Sequence, residues 1–178
     1  MAAPWRVFTP MTEIGELGVA REVGLEALYR RLVGGAEGLA RALTGDPYLA
    51  QDIAHDAFIR VAGRFGHLRN AGAFEAYLRR AVVNQCRSHF RRAGVERRGL
   101  QRLGVRIEAS AAHALEERDS LWATIQALPY RQRAAIVLRF YEDLSEAQAG
   151  EILRCSPRAV NSLVSRAMAT LRAEMEER

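Results

Sequence analysis

The sequence predicts an all-α protein: two small helical domains joined by a flexible linker, the C-terminal one a helix-turn-helix. Three observations lead there. Apolar residues recur at helical spacing through successive segments of the chain. Between Arg91 and Ala114 that periodicity fades into a stretch rich in Arg, Gly and Ala, which reads as a linker. The segment Asp143–Arg172 then carries the pattern of two short helices around a tight corner, with a polar outer face.

Residues 1–20 show no sustained periodicity and read as a loose leader. From Val23, residues Leu25, Leu28, Leu32, Ala36, Leu39 and Leu43 keep one helix face apolar. Gly34-Gly35 interrupts this run at about 1 kcal/mol per Gly relative to Ala, which predicts a kink or a break. Thr44-Gly45-Asp46-Pro47 is a stop and a turn. A second helix is expected from about Tyr48 to Phe65, with Leu49, Ile53, Ala57, Phe58 and Val61 inward. Asp52, His55, Asp56 and Arg60 fall on its other side, the two aspartates one i,i+4 step apart. After a loop at Gly66–Gly72, a third helix is expected from about Ala73. Phe74, Tyr77, Leu78, Ala81 and Val82 give it an apolar side. Arg79, Arg80, Arg87, Arg91 and Arg92, with Asn84, Gln85 and Ser88 between them, give it a basic one. Rings beside Arg and Asn suit a single-stranded nucleic acid, because bases stack on rings and guanidinium groups neutralise phosphates.

Leu115, Leu121, Trp122, Ile125 and Leu128 restart a helix that Pro129 ends, and Ile136 to Tyr141 carry the next one. Ser145 and Gln148 then form a capping box. Ser156 is a good N-cap, and Pro157 suits the first helical position because its missing N–H would be unpaired there. Val160, Val164, Ala167 and Leu171 line one stripe of the final helix, leaving Arg158, Asn161, Ser162, Ser165 and Arg166 opposite. No Asp or Glu occurs between Arg154 and Arg172, whereas a merely solvated face would mix charges. Arg pairs bidentately with guanine and Asn with adenine, so the face is suited to a DNA major groove.

Composition narrows the function. The formal net charge is +5, and every basic side chain except the histidines is Arg. Between Gln51 and Arg102 eleven Arg face four acids, the footprint of a nucleic-acid surface. Cys86 and Cys155 lie far apart and read as reduced thiols. Cys86 and His89 have no second Cys/His pair, so no zinc site is expected, nor any other metal, cofactor or catalytic residue. The N-terminus lacks a signal-peptide pattern and no 18-residue apolar run occurs, so the expectation is a cytoplasmic protein without a membrane span. A metal-dependent nuclease or phosphohydrolase using Asp52, His55 and Asp56 would need ligands from other helices, which His67, His89 and His113 do not supply.

Taken together, LTGDPYLAQDIAHDAFIRV, AFEAYLRRAVVNQCRSHFRR and ALPYRQRAAIVLRFYEDLSEAQAGEIL followed by SPRAVNSLVSRAMATLR resemble the extracytoplasmic-function (group 4) sigma factors of bacterial RNA polymerase. The resemblance implies a region 2-like domain over 21–93, a linker over 94–114 and a region 4-like domain over 115–178. It implies a non-enzymatic promoter-specificity subunit. Its partners would be core polymerase, through the β′ clamp coiled coil and the β flap, and promoter DNA; an anti-sigma factor is a further partner that the family admits. Asp52, His55, Asp56 and Phe58 match the helix that docks on the clamp. Tyr77, Arg79, Arg80, Asn84, Arg87 and Arg91 match the −10 surface, with Asn84 at the pocket for a flipped-out base. Arg158, Asn161, Ser162, Ser165 and Arg166 match the readers of the −35 element. The sequence departs from the family at His55, Asp56 and Tyr77, where Gln, Glu and Trp are usual, and at Leu163, where Arg is common. Arg154 stands at a corner usually held by Gly, so a left-handed backbone there would be strained. The competing function is a stand-alone helix-turn-helix regulator whose first lobe senses a signal or dimerises.

Overall fold

The computed structural model describes residues 24–63, 71–102 and 120–176, all helices and short connections. In chain order these are α1 (Leu25–Thr44), α2 (Pro47–Ala62), α3 (Ala71–Arg102), α4 (Ser120–Ala127), α5 (Tyr130–Ile136), a π-helical turn (Val137–Tyr141), α6 (Glu146–Leu153) and α7 (Pro157–Glu176). The leader, most of the Gly66–Gly72 loop and positions 103–119 lie outside the described residues.

Local chemistry sets the helix ends. Gly45 closes α1 in the left-handed conformation (φ 75°), its N–H donating to Arg41 O at 2.8 Å. Asp46 then opens α2: its carboxylate accepts from the N–H groups of Tyr48 and Leu49 at 2.9 and 3.1 Å, and Pro47 takes the first helical position. The break expected at Gly34-Gly35 does not occur, and α1 is continuous. Gly35, Ala36, Gly38 and Ala40 are all buried. They lie where α1 packs within the first lobe, and burial there outweighs the propensity cost of the glycines. Helical order was expected to give way from about Arg91. Instead α3 continues to Arg102, because Arg, Leu, Gln and Glu are good helix formers and outweigh Gly94 and Gly99.

Helices α1, α2 and α3 form the first lobe around Leu28, Leu32, Leu39, Ile53, Phe74 and Leu78. Phe58 sits inside it, with ring centroids 5.0 Å from Tyr29 and 5.1 Å from Phe74. Helices α4 to α7 form the second lobe, where α5 packs on α7 around Ile125, Leu128, Ile136, Ala167 and Leu171.

The two lobes do not stand apart. Buried residues form one continuous cluster from Leu28 in α1 to Val160 in α7. Among the described residues four polar connections cross the seam. Gln126 and Arg133 donate to the last carbonyls of α1, at Ala42 (2.9 Å) and Leu43 (2.6 Å). Such donors complete a helix end whose carbonyls have no partner within the helix. Tyr130 Oη donates to Val83 O at 2.7 Å. Arg79 of α3 reaches Glu142, at the end of the π turn. The two lobes expected on either side of a linker are thus also in direct contact.

Candidate nucleic-acid interface

Three exposed stripes and one groove carry the candidate functional groups. On α2, Asp52, His55 and Asp56 are exposed on one side. Tyr48 (81 % exposed) and Ile59 (55 %) extend the same stripe, since positions 48, 52, 55, 56 and 59 share a helix face. These two apolar side chains left in water were missed from sequence; their i,i+4 spacing to Asp52 and His55 was the available signal. Phe58 is corrected: at 7 % exposure, it props α2 from within and presents no surface to a partner. Among the described residues no group of three or more His, Cys, Asp or Glu could hold a metal ion.

On α3, Tyr77, Arg80, Asn84, Arg87 and Arg91 recur at steps of three and four residues, so they share one face. Tyr77 is 54 % exposed, Arg87 and Arg91 are exposed, and Arg80 and Asn84 are half-buried. Arg79 does not join them. It is only 7 % exposed and lies on the helix face of Glu75, Leu78 and Val82. Its Nε donates to Glu142 Oε2 at 2.8 Å and its Nη2 to Glu75 Oε1 at 2.9 Å. In this conformation the assignment of Arg79 to promoter DNA is therefore corrected: the guanidinium is spent on two carboxylates. Truncating Arg79 would cost about 3–5 kcal/mol, because it takes the guanidinium from two carboxylates at once. Beside it, Tyr77 and Arg80 of α3 face Gln148, Glu151 and Ile152 of α6 across a cleft of about 250 Å³.

The helix-turn-helix forms as its sequence predicts. Gln148 N donates to Ser145 Oγ at 3.2 Å and Ser145 N to Gln148 Oε1 at 2.8 Å, completing the capping box. Ala159 N donates to Ser156 Oγ at 3.2 Å, which caps α7 ahead of Pro157. The corner between them is tight. Arg154 has φ 54° and ψ 55°, the left-handed geometry expected to strain a side chain. A Cβ on Gly150 would stand 2.7 Å from Cys155 O. The outer face of α7 exposes Arg158, Asn161, Ser162, Ser165 and Arg166. Asn161 Nδ2 donates to Glu146 Oε1 at 2.9 Å, so a carboxylate from α6 leans over a face that is acid-free in its own helix.

An apolar groove of about 240 Å³ lies on the second lobe between Trp122, Ile125, Phe140, Met168 and Leu171, with Ala42 of α1 at its edge. Phe140 is 52 % exposed there. Beneath the seam, burial pushes the Cys86 thiol up to about 12 and raises the Tyr130 phenol well above its ordinary value. Burial lowers the Arg133 guanidinium, which lies 4.9 Å above the Phe90 ring. No described helix is long and apolar enough to cross a membrane.

Comparison with known proteins divides the chain at the same place. Residues 28–95 match the family model for sigma-70 region 2, and residues 118–171 that for sigma-70, region 4. The chain is 31 % identical over 139 residues to the RNA polymerase sigma-E factor of Streptomyces avermitilis, covering 78 % of each. It is 33 % identical over 138 residues to that of Streptomyces antibioticus, covering 76 % of each. The ECF RNA polymerase sigma factor SigM of Bacillus subtilis is 22 % identical over 152 residues, covering 84 % of this chain and 93 % of that one. Its fold is similar to that of the sigma factor RpoE of Bartonella quintana, solved in complex with the anti-sigma factor NepR. The TM-score is 0.67 at 22 % identity, over 85 % of this chain and 96 % of that one. The first lobe therefore carries a region 2, and the chain belongs to the sigma-70 family as an extracytoplasmic-function sigma factor, a promoter-specificity subunit of RNA polymerase.

Proposed function

We propose a division of labour among the four surfaces. The α2 stripe of Tyr48, Asp52, His55, Asp56 and Ile59 docks on the β′ clamp coiled coil of cytoplasmic core polymerase. Two carboxylates flanked by exposed apolar groups suit a partner helix with basic and apolar side chains. The groove bordered by Phe140 and Met168 takes an apolar helix of the β flap. On α3, Tyr77, Arg80, Asn84, Arg87 and Arg91 follow the non-template strand of the −10 element, with Asn84 reading a base flipped out of the stack. On α7, Arg158, Asn161, Ser162, Ser165 and Arg166 read the −35 major groove.

The observation that carries this reading is the single-sided placement of Tyr77, Arg80, Asn84, Arg87 and Arg91, because a strand can follow only groups that share a face. Asn84→Ala tests it. Flipping a base costs a few kcal/mol, which the pocket must return for the bubble to persist. The substitution should leave −35-dependent closed binding intact, lower the yield of open complex and shift −10 preference. A template melted beforehand at the −10 segment should restore most of that yield. Permanganate footprints equal to wild type on duplex template, with unaltered −10 preference, would remove Asn84 from DNA reading.

A further inference from the structure

We infer that Glu146, at the start of α6, is a positioning residue for −35 reading: its carboxylate fixes the Asn161 amide as an adenine reader and so sets the preference at one base pair. This rests on the proposed reading of the −35 major groove by α7.

The contact joins the two helices of the helix-turn-helix. Asn161 Nδ2 donates to Glu146 Oε1 at 2.9 Å, across 15 positions of chain. A carboxylate only accepts, so the end of the amide turned toward α6 has to be its NH2. The carbonyl then lies on the side of Ser165, whose Oγ stands 3.5 Å from Oδ1, the long limit of a hydrogen bond. One N–H and most of the carbonyl's acceptor capacity therefore stay open. Adenine presents the N7 acceptor beside the N6 donor, and a donor beside an acceptor on one planar amide meets both at once. An amide that nothing holds can turn over about its last bond. In the same pose it would then set carbonyl against N7 and N–H against the N6 amine, like facing like.

The scaffold under both partners is stiff. Glu146 is the first residue of α6, directly after the Ser145 cap and its reciprocal bond with Gln148. Asn161 lies in the second turn of α7, whose start is capped by Ser156. The corner between the helices leaves no room even for a Cβ on Gly150. Groups carried by such elements hold a reading geometry more closely than groups on loops.

Charge indicates that the carboxylate serves discrimination and not affinity. DNA binding draws on phosphate neutralisation, and a carboxylate beside a phosphate-facing surface weakens every sequence alike. No acid occurs between Arg154 and Arg172, yet Glu146 is set against that face from the neighbouring helix, half-buried beside Asn161. It lowers affinity for all sites and favours the one base pair that the held amide fits. Specificity is that difference of affinities.

Glu146→Gln and Glu146→Ala separate the hydrogen bond from the charge, because both remove the charge and only Gln keeps an acceptor for Asn161. Holoenzymes carrying the full chain select closed complexes from promoters randomised across the −35 element. Wild type should favour adenine at one position by roughly 5- to 100-fold, the discrimination of a bidentate contact. Asn161→Ala should lose that preference, Glu146→Ala should lose most of it, and Glu146→Gln should keep it. Preferences at the remaining positions should match wild type, which general damage to the lobe would not allow. Both Glu146 variants should bind all sequences more tightly, and to the same extent. Equal relaxation in Glu146→Gln and Glu146→Ala would make charge the cause and overturn the inference. Loss of a cytosine preference in both would make Glu146 a direct base reader and overturn it as well. Asn161→Ala relaxing one position while Glu146→Ala relaxes none would overturn this inference alone. Unchanged preferences in Asn161→Ala would take Asn161 out of −35 reading, and the inference with it.

Discussion

Two glycines inside helices should respond to the same substitution with opposite signs. Gly34 is exposed in the middle of α1, and a Cβ built there meets nothing within 4 Å. Gly34→Ala should therefore stabilise by about 0.5–1 kcal/mol, the ordinary propensity difference. Gly150 is buried in α6, where a Cβ would lie 2.7 Å from Cys155 O and 3.6 Å from Pro157 N. The obstacle is backbone, and Cys155 N also donates to Gly150 O at 3.0 Å, so the corner cannot retreat without losing a hydrogen bond. Overpacking of this kind costs about 1–3 kcal/mol, against which the same propensity gain is set. The net expectation for Gly150→Ala is a loss of about 1–2 kcal/mol, or roughly 3–6 °C in melting temperature for a chain of this size. Urea unfolding at constant slope would measure both variants. Because α7 starts at Pro157, Gly150→Ala should also weaken −35-dependent closed binding more than binding to a premelted −10 template. If Gly150→Ala raised stability as Gly34→Ala does, the steric account of the corner would be wrong.

Arg154 holds a left-handed backbone that disfavours a side chain by about 1–2 kcal/mol; after the extra unfolded-state freedom of Gly, Arg154→Gly should stabilise by about 0.5–1 kcal/mol, read as a higher melting temperature. Cys86 and Tyr130 are both raised in the folded chain, so the native state keeps protons that the unfolded chain gives up. Their contribution is complete below the unfolded thiol value of about 8.5 and is lost as pH rises from there toward 12, at about 1.4 kcal/mol per pH unit for each group once its unfolded form ionises. Urea melts between pH 7.5 and about 9.5 should show this fall, and Cys86→Ala should flatten it, since the tyrosine begins to contribute only near pH 10. Asp52→Ala together with Asp56→Ala should leave the melt unchanged, as both side chains are exposed, while weakening core-polymerase binding by about 2–5 kcal/mol in a competition assay.

Local signals in the sequence translated directly into structure. Ser145 with Gln148 and Ser156 with Pro157 form the caps their spacing dictates, because a cap needs only groups within four residues, and the stop at Thr44–Pro47 ends α1 and opens α2. The amphipathic stripes of α2, α3 and α7 were legible for the same reason. What escaped was set by partners far along the chain. Arg79 reads as one more basic residue until Glu142 arrives from the other lobe, and Arg133 until the carbonyl of Leu43 does. Phe58 matched a docking helix by position, yet its own inward periodicity correctly placed it in the core. The uninterrupted α1 depends on what Gly35 and Gly38 pack against, which no window along α1 contains.

The π turn at Val137–Tyr141 gives the second lobe a register that its composition alone would not. Glu142 N reaches back five residues to Val137 O, at 3.0 Å, so one residue more than an α-helix would hold is taken up there. Deleting a single residue from this turn would let it rewind as ordinary α-helix: the wide turn has taken up about one residue's worth of rotation, so side chains beyond it would keep their directions. What would change is the turn itself, which sets Phe140 at the groove and Glu142 at the seam. In this chain one added residue sets where the turn's own side chains point, and a variant shorter by one here would differ in groove and lobe contact while keeping the outer face of α7 as it is.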